Sequence, residues 1–312
     1  MSLDSVPQQN GVLHTYGFNL TAFEFTNGSG KASPNILIFI GGLGNGLLNV
    51  PYLPDLAKAT SNFHSKDGNS WNLVQVLLTS AYQGWGTSSL DRDIRELQSA
   101  IQYFRSERGG KRQKVVIFGH STGCQDVIRY LTKALYQEGL PESAQVQGGV
   151  LQAPVSDQEA FRQGRDQKKF QELVQKVHDE YIAQGRGKEI LPEEYRRIAF
   201  NVPITAYRFY SLAGERGDDD YFSSYLDEKD FAQSFGKINK PALFLYGGSD
   251  EFVPDYVGKQ ALVAKWQKAT APEYWSKHSG IIKGGTHNLG EGSEEGVIDE
   301  LIDRVTKFIG DL

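Results

Sequence analysis

The residue pattern of this chain predicts an α/β fold, a mostly parallel sheet with helices on both faces, and three observations support it. Short apolar runs of strand type recur at 36–40, 72–78, 115–118, 146–153 and 242–246. Amphipathic stretches of helical period stand between them. One segment, 155–236, breaks this alternation. Between Ser156 and Phe200 it holds nine basic and nine acidic residues, and charge so balanced marks a solvated helical surface. The expected organisation is therefore a single domain over 1–312 with a helical cap, 155–236, inserted between two core strands.

Taken in order, residues 11–26 read as a short antiparallel pair, with Tyr16, Phe18, Leu20 and Ala22 at alternate positions. The buried strand Ile36-Leu37-Ile38-Phe39-Ile40 runs into the glycine-rich loop Gly41-Gly42-Leu43-Gly44-Asn45-Gly46, and a helix follows near 52–62. The strand at 72–78 ends in the loop Ala81-Tyr82-Gln83-Gly84-Trp85-Gly86, which should overhang the rim of a site. Ser88 with Asp91 reads as a capping box, opening a helix with Ile94, Leu97, Ile101 and Phe104 on one face. After the strand Val115-Val116-Ile117-Phe118, a second helix aligns Val127, Ile128, Leu131 and Leu135. The cap follows the strand at 146–153. Its aromatics, Tyr207, Phe209, Tyr210, Tyr221 and Phe222 among them, suit either a pocket wall or the packing of the cap onto the core. Asp218-Asp219-Asp220 matches no calcium loop and reads as a solvated turn. Strands at 242–246 and 280–283 complete the sheet.

Gly119-His120-Ser121-Thr122-Gly123 stands between the third of these apolar strands and a helix. A G-x-S-x-G in that context is the nucleophile elbow of the α/β-hydrolase fold: two glycines allow a sharp turn that presents the serine hydroxyl above the sheet edge. A serine needs a base, and the base needs an orienting group. In this fold they follow in the order Ser, acid, His. Asp250 comes just past the strand 242–246 in Gly247-Gly248-Ser249-Asp250, and His287 ends Gly284-Gly285-Thr286-His287 after the strand at 280–283. The long stretch between Ser121 and Asp250 leaves room for a lid. Of the six histidines, only His278 also lies downstream of Asp250, and it precedes a strand where His287 follows one. His120, inside the elbow, should point away from the serine. The oxyanion hole requires N–H donors from the residue after the nucleophile, Thr122, and from the glycine loop. Leu43 is the expected second donor, with the Asn45 side chain a candidate helper. Trp85 and Tyr210 are the aromatics expected to shape a substrate pocket.

The same glycine loop fails both nucleotide patterns. Leu47 occupies the last glycine position of G-x-G-x-x-G, and no Gly-Lys-Ser/Thr follows. No pair of histidines has H-x-x-x-H spacing, so no zinc site is expected, and the expected chemistry calls for no cofactor. A net charge of −5 and a pI near 5.8 argue against a nucleic-acid partner. No apolar stretch approaches the roughly 18 residues of a membrane span. The first nine residues lack a signal-peptide pattern, and a lone cysteine, Cys124, suits a reducing compartment. Cytosolic placement is the expectation, with Cys124 packed into the helix start and not catalytic.

Five motifs together carry a resemblance: Ile40-Gly41-Gly42-Leu43-Gly44-Asn45-Gly46, Gly84-Trp85-Gly86-Thr87-Ser88-Ser89-Leu90, Gly119-His120-Ser121-Thr122-Gly123-Cys124-Gln125-Asp126, Gln152-Ala153-Pro154-Val155-Ser156-Asp157 and Leu212-Ala213-Gly214-Glu215-Arg216. In these the chain resembles the family of fungal siderophore esterases, over about residues 11 to 310. The resemblance implies hydrolysis of the esters of fusarinine-type hydroxamate siderophores, and so a small-molecule ester substrate, a ferric siderophore being one candidate. It also implies a Ser–Asp–His triad at Ser121, Asp250 and His287. A general carboxylesterase and a non-catalytic binder on the same scaffold are the alternatives.

Overall fold

The protein is described by a computed structural model covering residues 8–26, 32–132 and 140–312. An antiparallel hairpin, β1 (Gly11–Gly17) and β2 (Leu20–Phe25), precedes β3 (Asn35–Ile40), α1 (Leu53–Asn62), β4 (Trp71–Leu77), α2 (Leu90–Arg105), β5 (Lys114–His120), α3 (Gly123–Leu131) and β6 (Gly148–Gln152). Five helices then interrupt the alternation: α4 (Asp157–Arg162), α5 (Gln167–Val177), α6 (Glu193–Ile198), α7 (Ala206–Ala213) and α8 (Glu228–Gln233). The chain returns to the sheet with β7 (Ala242–Gly247), α9 (Lys259–Ala269), β8 (Gly280–Ile282) and α10 (Val297–Asp311).

The eight strands lie in the order β1-β2-β4-β3-β5-β6-β7-β8. From β4 to β8 every pairing is parallel, while β1–β2 and β2–β4 are antiparallel. Both faces of the central strands are covered, so they are apolar throughout rather than alternating. In β3, Ile36, Ile38 and Ile40 point into a core shared with Ile94 and Leu97 of α2, Val127 of α3 and Trp266 of α9. Leu37 and Phe39 point the other way, against Leu53 and Leu56 of α1 and Leu301 and Val305 of α10. This two-faced burial holds the loops at the C-terminal ends of β3, β5, β7 and β8 in fixed relation, which is where an α/β sheet places its site.

Three details depart from the sequence reading. The capping box assigned to Ser88 and Asp91 does not form. Ser89 is the N-cap, accepting from the Arg92 N–H, and Ser88 instead donates to Asp93 Oδ1 at 3.0 Å. The helix therefore starts one residue later than the spacing suggested. Phe18 does not alternate with its neighbours but sits 92% exposed in the turn between β1 and β2. The stretch 155–236 also divides between two cores. Phe161, Phe170, Val177, Tyr195, Phe209 and Leu212 form a cluster of their own with Trp85. Phe222, Leu226, Phe231 and Phe235 instead pack into the α2–α3–α9 side of the main core. Leu135 and residues 1–7 lie outside the described residues.

Candidate active site

Close packing dictates the turn after β5. Ser121 has φ of 56°, a left-handed conformation that costs a non-glycine residue free energy and persists only where its surroundings enforce it. A Cβ on Gly119 would stand 2.1 Å from the Gly123 carbonyl oxygen, and one on Gly123 would stand 2.4 Å from that of Ile40. The flanking glycines are thus required by backbone contact on both sides of the serine. Gly42 of the β3 loop meets the same turn, since its Cβ would lie 2.5 Å from Ser121 Cβ. The Ser121 N–H is tied to the Gln152 carbonyl at 3.0 Å.

Asp250 and His287 stand on the loops after β7 and β8, two and three strands along the sheet from β5. His287 Nδ1 donates to Asp250 Oδ2 at 2.8 Å, and Asp250 Oδ1 accepts the Phe252 N–H at 3.0 Å. The Asp250 side chain is fully buried and that of His287 only 10% exposed. Glu251 accepts the backbone N–H of His287 at 2.9 Å, and the Phe252 ring stacks edge-on at 4.7 Å. Ser121 and His287 line one cavity without a hydrogen bond between them, the serine side chain lying over Gly42.

The glycine loop is folded by Asn45, whose Oδ1 accepts the Gly42 N–H at 2.9 Å while its own N–H donates to the Gly42 carbonyl at 3.0 Å. That side-chain oxygen therefore shapes the loop. Among the described residues no hydrogen bond uses the N–H of Leu43 or of Thr122. Cys124 is fully buried. Its thiol donates to the Gly119 and Gln152 carbonyls, and burial pushes its pKa well up.

The cavity measures about 930 Å³. Val50, Val155, Phe161, Phe200, Val202 and Phe252 supply its apolar walls, and Asp157, Arg165 and Glu251 its charged ones. Trp85 is on this wall and at the same time buried in the inserted cluster. Tyr210 is not. It lies in a separate groove with Phe170, Val174 and Glu215, its ring 5.3 Å from that of His178. Its position on α7 turns it outward, away from the cavity. His278 pairs with Asp311 at 3.0 Å and does not line the cavity.

His120 is closer to the chemistry than expected. It lines the cavity, its ring centroid lies 5.1 Å from that of His287, and it meets Gln152 Oε1 at 2.5 Å. Burial, reinforced by the His287 charge, lowers its pKa to about 3, so it is neutral near pH 7. Burial likewise pushes the Asp157 carboxyl well up, with Asp219 adding repulsion and Arg208 opposing it. The sequence reading gave no role to Glu251, and Gln152 entered it only as part of the stretch Gln152–Asp157. The signal for Gln152 was available, as a polar residue closing an otherwise apolar strand.

A buried seam joins the inserted helices to the sheet. Arg208 of α7 donates to both Asp219 oxygens, at 2.7 and 2.6 Å, and to the Trp85 carbonyl at 3.1 Å, so Asp219, expected in a solvated turn, is instead buried against the guanidinium. Asp93 of α2 faces the same guanidinium. Its carboxyl is pushed up to about 7 by burial, against the pull of Arg208. Among the described residues no cluster of three or more His, Cys, Asp or Glu could hold a metal ion, and no helix is long and apolar enough to cross a membrane.

Residues 1–310 match the DUF1749 family, described as a protein of unknown function. The fusarinine C esterase sidJ of Aspergillus fumigatus is 31% identical over 97% of this chain and 96% of its own. The chain belongs to the DUF1749 family and is a relative of the fungal siderophore esterases. The UPF0613 protein PB24D3.06c of Schizosaccharomyces pombe is 38% identical over 96% of this chain and 98% of its own. The siderophore hydrolase EstB of Aspergillus fumigatus superposes with a TM-score of 0.81 at 30% identity, covering 98% of both chains. Est1E of Butyrivibrio proteoclasticus, at 14% identity and a TM-score of 0.58, shares the fold. This DUF1749 chain therefore has the α/β-hydrolase fold.

Proposed function

We propose that this protein is a serine esterase that opens the ester bonds of a fusarinine-type hydroxamate siderophore through an acyl-enzyme on Ser121. The observation that carries the reading is His287, held by the buried Asp250 and lining one cavity of about 930 Å³ with the strained Ser121. Fixed by Asp250 at Nδ1, His287 presents Nε2 as the base. It takes the Ser121 proton as Oγ attacks the ester carbonyl carbon. Negative charge develops on the carbonyl oxygen, and the N–H groups of Leu43 and Thr122 stabilise it. Collapse breaks the ester C–O bond, and the departing alkoxide takes the proton from His287. Water then attacks the acyl-enzyme with His287 again as base, releasing the acid and restoring Ser121.

Substrate size is the second strand of support. A small acyl ester needs little of so large a space, whereas a siderophore would fill it against Phe161, Phe200 and Phe252, with Trp85 in the wall. The helices α4–α7 act as a cap that supplies one side of the pocket. Hydrolysis of the ester weakens a multidentate iron chelate, which fits a role in iron release, and the single buried cysteine suits the reducing cytosol.

Incubation with a cyclic fusarinine triester, followed by mass spectrometry, tests the reading. Linear products should appear, each ester gaining one water. Ser121→Ala should lower the rate on the order of 10⁶-fold while the protein stays folded. An intact triester in the presence of enzyme that hydrolyses p-nitrophenyl acetate would leave a general carboxylesterase as the better reading.

A further inference from the structure

Gln152 closes β6, is fully buried, and stands directly beside His120 in the parallel register of β5 and β6. Its backbone carbonyl accepts from the Ser121 N–H at 3.0 Å and from the Cys124 thiol at 3.2 Å. Its side-chain Oε1 accepts from the Tyr52 hydroxyl at 2.9 Å and meets His120 Nδ1 at 2.5 Å. Its Nε2 donates to the His287 carbonyl at 3.1 Å. One residue thus touches the backbone of the nucleophile, the backbone of the base, and the histidine between them.

The orientation of this amide is forced. The His287 carbonyl can only accept, so the NH₂ group must face it, and the oxygen must face Tyr52 and His120. An amide oxygen only accepts, so His120 must donate from Nδ1 and leave Nε2 bare. The elbow and the His287 loop come from separate strand ends, and among the described residues Gln152 bonds both directly. Asp250 fixes the His287 ring but not the distance of its backbone from Ser121.

We propose that Gln152 is a positioning residue that sets the spacing between Ser121 and His287 and locks His120 as the neutral Nδ1–H tautomer. The lock has a chemical consequence. During acyl transfer His287 becomes an imidazolium, and a second cation 5.1 Å away would oppose it. Held neutral, His120 offers the lone pair of Nε2 instead of a charge. This inference rests on the serine esterase reading for its effect on rate, but the geometry and the tautomer are independent of it.

Histidine-selective ¹⁵N NMR of the unaltered protein gives the first test. His120 should show a protonated Nδ1 and a bare Nε2, and should hold that state from pH 8 to pH 5. Titration of His120 near pH 6.5, or a proton on Nε2, overturns the lock. Gln152→Met keeps the length of the side chain and removes all three side-chain bonds. It should lower kcat about 10²-fold, as misplacement near 1 Å can, with KM within twofold and with mixed His120 tautomers. Gln152→Glu keeps the acceptor for Tyr52 and His120 but sets an oxygen against the His287 carbonyl. It should keep the proton on His120 Nδ1 while making His120 easier to protonate at Nε2, lose at least tenfold in kcat, and move the acid limb of kcat/KM to higher pH, because its charge favours imidazolium. Unchanged kcat in both variants overturns the spacing role. Should either fail to fold by circular dichroism, Tyr52→Phe removes a single bond to the same oxygen while the His287 carbonyl still holds the amide NH₂, so His120 should keep its Nδ1–H tautomer, and mixed tautomers in that variant overturn the lock. If Ser121→Ala proves as active as the parent, it is the serine reading that fails. The NMR result, with the Ser121–His287 separation in a crystal structure of Gln152→Met, would still decide the role of Gln152.

Discussion

The sheet edge and the inserted helices contribute to one cavity by different means. At the sheet edge, position comes from backbone: Gly119, Gly123 and Gly42 permit contacts that any side chain would block, and Ser121 is held at a positive φ between them. In α4–α7, position comes from side chains: Phe161, Phe209 and Leu212 pack around Trp85, and Arg208 is clamped to Asp219. The first region tolerates almost no change of shape but is indifferent to what the substrate looks like. The second can change its cavity-facing residues while the chemistry stays the same.

The largest expected effect that separates the two regions is on stability as a function of pH. His120, on the sheet side, has its pKa lowered from 6.5 to about 3 by burial. The unfolded chain therefore binds a proton below pH 6.5 that the folded chain refuses. Stability is full above pH 6.5 and falls as pH drops toward 3, with a slope of up to about 1.4 kcal/mol per pH unit. Asp93, at the seam, works in the opposite sense. Its carboxyl is raised from 3.8 to about 7, so its contribution is full below pH 3.8 and is lost as pH rises toward 7. Urea midpoints between pH 4 and 6 should show a shallower acid loss in His120→Gln. Between pH 5 and 8, Asp93→Asn should remove an alkaline loss. Parallel behaviour of both variants would erase the distinction.

Next in size is Gly42→Ala. Its methyl would stand 2.5 Å from Ser121 Cβ and 3.2 Å from the His120 carbonyl oxygen, so Ser121 must shift. A fall of about 10²-fold in kcat on p-nitrophenyl acetate, with a melting temperature within a few degrees, is expected. Retention of full activity would mean that the glycine loop can retreat.

Smaller, and confined to the inserted side, is the pair Phe200→Ala and Tyr210→Ala. Phe200 is 64% exposed and lines the cavity. Its loss should raise KM for a bulky siderophore ester by about tenfold, corresponding to roughly 1.4 kcal/mol, and leave p-nitrophenyl acetate unaffected. Tyr210, in its separate groove, should change neither substrate by more than about twofold. Equal losses from both variants on the bulky ester would return Tyr210 to the pocket.

The sheet edge was legible in the sequence because its rules are local. An apolar strand, a glycine-flanked serine and a helix follow one another in the chain, and Asp250 and His287 each stand just beyond a strand of their own. The boundaries held to within a few residues at β3, β4 and β7. What sequence did not reveal depends on rotation about a helix axis or on partners distant in the chain. Tyr210 and Phe209 are adjacent on α7, yet one turns to an outer groove and the other into the inserted core. The direction of an aromatic on a short helix is set by what packs against it. The Ser88–Asp91 spacing fits a capping box, but Ser89 competes for the same end, and the Ser88 hydroxyl found Asp93. Gln152 bonds to residues 100, 32 and 135 positions away, a separation no local pattern encodes.

Trp85 has a wider consequence. It belongs to the turn after β4, yet it is buried among residues of the inserted helices, and its carbonyl holds Arg208. An element anchored in this way has no free hinge at that edge. The insert and the sheet should share one cooperative melting unit, and substrate would enter by side-chain breathing at the cavity mouth, on the nanosecond scale of exposed rotamers, and not by the slower swing of a door.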